Sequence, residues 1–236
     1  MPAKEIPLPE QDLSLCPDTG ALNRIYTLNG VECPKVVLDD KLAKQQAGYT
    51  LIDADLEDVE SWLTQAYNLF GPQEVIPDKR GEPVVQYTLA REDTSLSLVK
   101  ALWFSAIVVY AKCFTQAEGR GVKLERNNLP DSMKICHDKI MTYRNTIVAH
   151  AGETTLETAP LEIILSPKHI GAGFLLRNNC KRVEFSDDRN EVVTFTDLVE
   201  TVHKSVKAKR HRLTSSILDR TRKTASKELY KMARKG

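Results

Sequence analysis

Apolar residues recur along this chain in several helical registers, separated by shorter alternating runs. Leu56, Val59, Leu63, Ala66 and Phe70 fall three or four residues apart, which places them on one face of an amphipathic helix. Asp53 or Asp55 fits its N-cap, and Gly71-Pro72 its stop. Residues 95–115 are apolar nearly all round, the pattern of a central bundle helix. A polar loop, EGRGVKLERNN, follows. Pro130 and Asp131 then suit the first turn of another helix, because proline lacks only a donor that would be orphaned there and a carboxylate complements the positive helix end. Met133, Ile140 and Ile147 at seven-residue spacing, with Cys136 beside them, give this helix a buried face, and Gly152 supplies a left-handed C-cap. Leu198, Val202, Val206, Leu213 and Ile217 mark a last long helix, with Asp197 and Glu200 as a capping pair.

The alternating runs predict strands. LNRIYTL, Asn29-Gly30 and VECPKVVL form a β-hairpin, since Asn-Gly takes the positive φ angles of a primed turn, and Pro34 puts its strand at an edge. LEIIL, GFLL, RVEF and VVTF, with turns at Asn178-Asn179 and Asp187-Asp188, predict a small β insertion over about residues 156–196. Four prolines and little periodicity make residues 1–20 a loosely held leader. The expected architecture is mainly α: a helical bundle with an N-terminal β-hairpin and a small β insertion before the last helix. Its expected divisions are the leader, a hairpin extension over 21–50, a helical domain over 51–218 and a basic tail over 219–236.

Composition changes this picture in two ways. At 236 residues and 42% hydrophobic, the chain can bury one substantial core. Its net charge of +1 conceals an asymmetry: residues 201–236 hold 12 lysines and arginines against Asp219 and Glu228, so the tail carries about +10 and the rest about −9. Such a tail suits a phosphate backbone, and Lys209, Arg210 and Arg212 are its candidate RNA contacts. The most apolar window, LVKALWFSAIVVYAKCF, is interrupted by Lys100, Ser105 and Lys112 and falls short of a bilayer span, and no secretory pattern opens the chain. A cytoplasmic protein without a membrane partner is therefore expected. The five cysteines are scattered, without a CxxC pair, and suggest neither a disulfide framework nor a thiolate zinc site. Two of them, Cys113 and Cys136, lie in helical runs and read as core.

Several chemistries lack their sequence patterns: no GxxxxGK phosphate loop, no GxGxxG after a strand, no HExxH and no GxSxG is present. The five histidines do not cluster at metal-ligand spacing, and no metal or cofactor is expected. What remains is Arg144-Asn145 followed after four residues by His150. On one α-helix six residues advance ~9 Å and turn ~240°, so the two side chains diverge. A twofold axis would bring one copy's arginine toward the other's histidine, which points to a homodimer. The seven-residue step from His137 to Arg144 places both on one face, apart from the apolar one, and adds His137 to the candidate RNA contacts.

RNTIVAH, in a bundle helix that follows a hydrophobic helix, resembles the R-x4-6-H signature of the HEPN superfamily, whose second position is often asparagine. Arg-Asn also occurs at Arg126, Arg177 and Arg189, but only at Arg144 does the histidine follow after four residues within a periodic helix. The resemblance covers about residues 50–155 and the last helix. It implies a dimerising helical bundle that acts as a metal-independent endoribonuclease, of the kind found in toxin–antitoxin, antiviral and RNA-processing systems, with a cognate antitoxin or regulatory protein as a further partner. By that resemblance Arg144, Asn145 and His150 are catalytic. His150 would move the proton of a ribose 2′-hydroxyl or of the leaving 5′-oxygen, Arg144 would stabilise charge on the scissile phosphate, and Asn145 would orient one of them. The alternative is a catalytically silent HEPN module that binds RNA, nucleotide or a partner protein. In a branch paired with nucleotidyltransferases the signature continues as R-x4-H-x-Y; here that position is Gly152, which departs from it.

Overall fold

The computed structural model describes residues 8–20, 22–70, 73–77, 83–87, 93–116, 119–148, 159–165, 174–178 and 193–233. The chain divides into two compact units, Lys44–Thr214 and Met1–Ala43 with Ser215–Gly236.

The larger unit is a helical bundle. Its core is shared by α1 (Lys41–Phe70), α2 (Asp93–Phe114), α3 (Asp131–Tyr143) and α4 (Phe195–Lys223). Ile52, Leu56, Val59 and Leu63 from α1 meet Trp103, Ala106, Ile107 and Tyr110 from α2, Cys136 and Ile140 from α3, and Leu198, Val202 and Val206 from α4. Each such aliphatic or aromatic side chain contributes about 1.5–3 kcal/mol when fully removed from water. These are the positions that helical periodicity selects. By length and apolar content alone Ser97–Phe114 could cross a membrane, yet here Val99, Trp103, Ala106, Ile107 and Tyr110 of this stretch are buried inside the protein.

Two helices start elsewhere than the pattern predicts. α1 begins twelve residues before Asp53, because the Asp40 carboxylate accepts hydrogen bonds from the backbone N–H groups of Leu42 (2.9 Å) and Ala43 (3.2 Å). Asp53 and Asp55 lie mid-helix instead. At α4 the capping pair is Thr194 and Asp197, not Asp197 and Glu200. Thr194 Oγ1 accepts from the Asp197 N–H (3.2 Å), and the Asp197 carboxylate accepts from the Thr194 N–H (3.0 Å) and hydroxyl (2.8 Å). This is a reciprocal box, shifted by three residues. Phe195, the last residue of VVTF, is consequently the buried first residue of α4 and not part of a strand. Glu200 pairs along the helix with Lys204 at 3.1 Å.

Short hairpins join the helices. The sequence reading placed no element between α1 and α2, where β4 (Gln73–Pro77) pairs antiparallel with β5 (Pro83–Tyr87). In the expected insertion β6 (Leu161–Leu165) pairs with β7 (Phe174–Asn178), Ile163 opposite Leu176. RVEF, the turn at Asp187-Asp188 and Gly152 lie outside the described residues.

The smaller unit carries a three-stranded antiparallel sheet in the order β1 (Glu10–Leu15), β2 (Leu22–Leu28), β3 (Val31–Glu32). Asn29 and Gly30 have φ of 52° and 74°, the primed turn expected between β2 and β3. β1 lies in the segment expected to be loose. A turn closed by the Gly20 N–H on the Cys16 carbonyl (2.8 Å) returns the chain so that Leu13 and Leu15 pair with Arg24 and Leu22. β3 is an edge strand of only two residues: Cys33 N–H still donates to the Tyr26 carbonyl (2.8 Å), and Pro34 has no N–H to continue. The basic tail is helical. α4 runs on to Lys223, and α5 (Ser226–Ala233) follows. Arg220 pairs with Asp40, the residue that caps α1. Of the described cysteines, Cys113 and Cys136 are buried, whereas Cys16 and Cys33 are half-buried.

Candidate functional site

At Tyr143 α3 gives way to a π-helical turn, Arg144–Val148. Thr142 Oγ1 donates to the Asp138 carbonyl (2.8 Å) and Thr146 Oγ1 to the Thr142 carbonyl (2.7 Å) around this turn, and the same kind of bond at Thr50 and Thr64 leaves α1 regular. The Arg144 N–H is already shared between the Ile140 and Met141 carbonyls. A π turn closes through the fifth residue, not the fourth, and rotates the chain less per residue than the ~100° of an α-helix. The α-helical divergence of arginine and histidine therefore does not describe residues 144–148.

Arg144 is half-buried and Asn145 exposed. The guanidinium donates from Nη1 to Asn145 Oδ1 at 2.9 Å, which fixes the fork against its own neighbour. Among the described residues no carboxylate pairs with Arg144. His150 lies outside the described residues.

His137 is not part of a basic face, a correction to the sequence reading. Its side chain is buried, with the residue only 3% exposed, and Nδ1 lies 2.9 Å from the Tyr110 hydroxyl. The ring packs against Phe114 at 4.5 Å between centroids. Burial pushes its pKa below the ordinary histidine value, against the pull of Asp138. The heptad step to Arg144 misplaces it because the core-facing stripe of α3, with Cys136 and Ile140, is wide enough to include position 137.

The three basic candidates of α4 divide. Lys209 and Arg212 are exposed. Arg210 is half-buried and donates to the Asp53 carboxylate, so its charge balances one on α1. Beside that pair His203, fully buried, sits with Nε2 3.2 Å from Asp53 Oδ1 and Nδ1 2.8 Å from Glu60 Oε1, close but not aligned as hydrogen bonds. A second anchor joins α1 to the loop after α2: Arg120 donates to Asp55, which also receives Lys112 at 3.2 Å. Neither network was visible beforehand, since their members are 57 to 157 residues apart in sequence. Mid-helix aspartates on the buried side of α1 were the available signal. Among the described residues no three histidine, cysteine or acidic side chains converge as metal ligands.

Two cavities open between α1 and α4 in the larger unit. One, of about 330 Å³, is lined by Glu60, Thr64, Glu200, His203 and Lys207. The other, of about 250 Å³, lies between Tyr49, Phe114, the loop from Leu124 to Pro130 and the Lys209 side of α4. No known protein family, curated protein or solved structure matches this chain.

Proposed function

We propose that this chain is a metal-independent endoribonuclease of the HEPN type, a cytoplasmic homodimer in which Arg144, Asn145 and His150 form the catalytic group. The observation that supports this most directly is the Arg144–Asn145 pair. A guanidinium held by an amide, and by no carboxylate among the described residues, keeps its full charge for a phosphate. Its position on a π turn agrees with the reading, because such turns occur often at functional sites. The exposed Lys209 and Arg212 supply further phosphate contacts.

The substrate's own 2′-hydroxyl is the nucleophile. His150 carries its proton, and Arg144 stabilises the charge gained by the phosphate oxygens. The products are a 2′,3′-cyclic phosphate and a 5′-hydroxyl end, and DNA is not cut. The test is end-labelled RNA incubated with the protein in excess EDTA. His150→Ala and Arg144→Ala should each lower the rate by roughly 10²-fold to 10⁴-fold while leaving the fold intact. Mixed dimers of the two variants should regain part of the activity if the residues act from opposite chains. Chelator-sensitive cleavage, equal cutting of a 2′-deoxy substrate or full activity in His150→Ala would overturn the mechanism.

A further inference from the structure

The three-stranded sheet of the smaller unit carries its apolar side chains on the exposed face. Cross-strand partners share a face, so the pairs Leu13 with Arg24, Leu15 with Leu22, Gln11 with Tyr26 and Leu28 with Val31 put all of these residues on one side. Leu13, Leu15, Leu22 and Val31 are 60 to 70% exposed, and Tyr26 is exposed as well. On the opposite face Ser14, Ile25 and Thr27 are half-buried. An antiparallel sheet with one wet side ordinarily turns its polar face to water. Here that order is reversed, and an exposed apolar patch of this kind marks an interaction surface.

The patch continues into a groove. A cavity of about 350 Å³ is lined by Leu28, Val31 and Pro34 around the β2–β3 turn and by Leu229, Tyr230 and Ala233 of α5. Leu229 and Ala233 are four residues apart, which puts them on one side of α5, and Lys227 and Lys231 flank Tyr230 and line a second concavity with it. By the same spacing Glu228 and Met232 share another side of the helix. Glu32 also borders the groove, but it lies 3.6 Å from Lys35, while Asp40 pairs with Arg220 and Asp219 with Arg222. Among the described residues Arg24, Lys227 and Lys231 have no carboxylate partner. Cations without a matching charge thus accompany the apolar surface.

We propose that this surface docks an apolar segment of another protein that carries acidic residues, its aliphatic side chains on Leu13, Leu22 and the groove and its carboxylates on Arg24, Lys227 and Lys231. The charge pattern selects this occupant. A second copy placed face to face about a twofold axis would bring Arg24, which stands among Leu13, Leu22 and Tyr26, toward its own image, and like charges brought together in an interface are costly. Single-stranded RNA would engage the cations but leave the leucines and Val31 unused, since aliphatic side chains offer bases no stacking platform. A bilayer surface is flat and would leave the groove unfilled. An amphipathic segment with aliphatic side chains on one side and carboxylates beside them meets both requirements at once. β1–β3 and α5 lie outside the segment that resembles HEPN domains, so the inference stands or falls separately from the ribonuclease reading.

The experiment pans the full-length protein against random peptides displayed on phage and measures the recovered sequences, as labelled synthetic peptides, by fluorescence anisotropy. Recovered peptides should combine aliphatic residues with Asp or Glu. Leu13→Ser together with Leu22→Ser should weaken their binding roughly 5-fold to 100-fold. Both leucines are exposed, so the fold should be kept, and thermal unfolding checks this. Arg24→Glu should weaken the acidic peptides by roughly 10-fold and favour the same peptides with Lys in place of the acidic residue, a reversal that a merely structural role would not produce. Ile135→Ser, an exposed apolar position on α3, should change nothing, and a loss there would place the peptides elsewhere and overturn the proposal. Recovery of no peptide, peptides without acidic residues, or binding indifferent to the Leu13, Leu22 and Arg24 substitutions would overturn it too. Three further arms measure sedimentation with phosphatidylserine vesicles, binding of a single-stranded oligoribonucleotide and oligomeric state by light scattering. Values unchanged in Leu13→Ser with Leu22→Ser support the proposal, whereas loss of any of these signals would assign the face to lipid, RNA or a second copy and overturn it.

Discussion

Replacing Asp55 with alanine should be among the most damaging single changes outside the apolar core. Asp55 accepts from Arg120, whose side chain is only 8% exposed, and from Lys112, whose side chain is 52% exposed. The lysine can turn to water when its partner goes. The arginine cannot: Nη2 loses its acceptor, while Nη1 is already buried without one. Breaking a buried ion pair from one side costs about 3–5 kcal/mol, because a charge is left without compensation in a low-dielectric site. Asp55→Ala should therefore lower the unfolding free energy by about 3 kcal/mol, read as a shift in the urea midpoint at unchanged slope. The double variant Asp55→Ala, Arg120→Met removes both charges and keeps most of the volume, so it should lose less than the single one. A loss under about 1 kcal/mol for Asp55→Ala, or a double variant at least as unstable as the single, would show that the pair is not the anchor its burial implies.

Three further outcomes follow from local geometry. Gly48→Ala forces α1 and the loop at Arg120 apart and should cost about 1–3 kcal/mol, measured by thermal or urea unfolding; a neutral effect would mean that the loop moves freely. Thr194→Ala removes half of the reciprocal box at α4 and should cost about 1 kcal/mol, whereas Glu200→Ala should have a much smaller effect; the opposite order would restore the cap predicted from sequence. Burial holds the His137 pKa below the usual 6.5, so the unfolded chain binds its proton more readily; the neutral ring's contribution is complete above about pH 6.5 and declines as pH falls toward the lower folded-state value. Unfolding free energies between pH 7.5 and 5 should fall less steeply in His137→Gln than in the wild type, and identical slopes would remove His137 from the acid response.

The parts of the fold legible in sequence were those set by repetition. Leu56, Val59 and Leu63, or Leu198, Val202 and Val206, announce a buried face through spacing alone, and Asn29-Gly30 announces its turn through backbone preference. Starts of helices were harder. Asp40 and Thr194 cap because of which N–H groups their oxygens reach, and aspartates further along offered the same signal in the wrong place. β1 depends on a partner strand and β4 on a segment without strong alternation, so tertiary pairing decided both. His137 shows the limit for the site. A heptad step assigns it a face, but whether that face holds water or Tyr110 and Phe114 depends on a helix some 25 residues earlier. Arg144 and Asn145 were legible as a pair, whereas the π turn that carries them leaves no mark in the spacing of apolar residues.

The placement of the thiols gives the protein a clock. Cys113 lies in the core with its pKa pushed up to about 12, chiefly by burial, so almost none of it is thiolate near neutrality. Cys136 is enclosed as well, while Cys16 is half-buried, and the hydrogen bonds around Thr19 lower its pKa. Among the described cysteines, an alkylating reagent thus meets a faster thiol at Cys16 than at Cys113 and Cys136 of the bundle. Modification of Cys113 and Cys136 must wait for α2 or α3 to open, and its rate measures how often the bundle breathes.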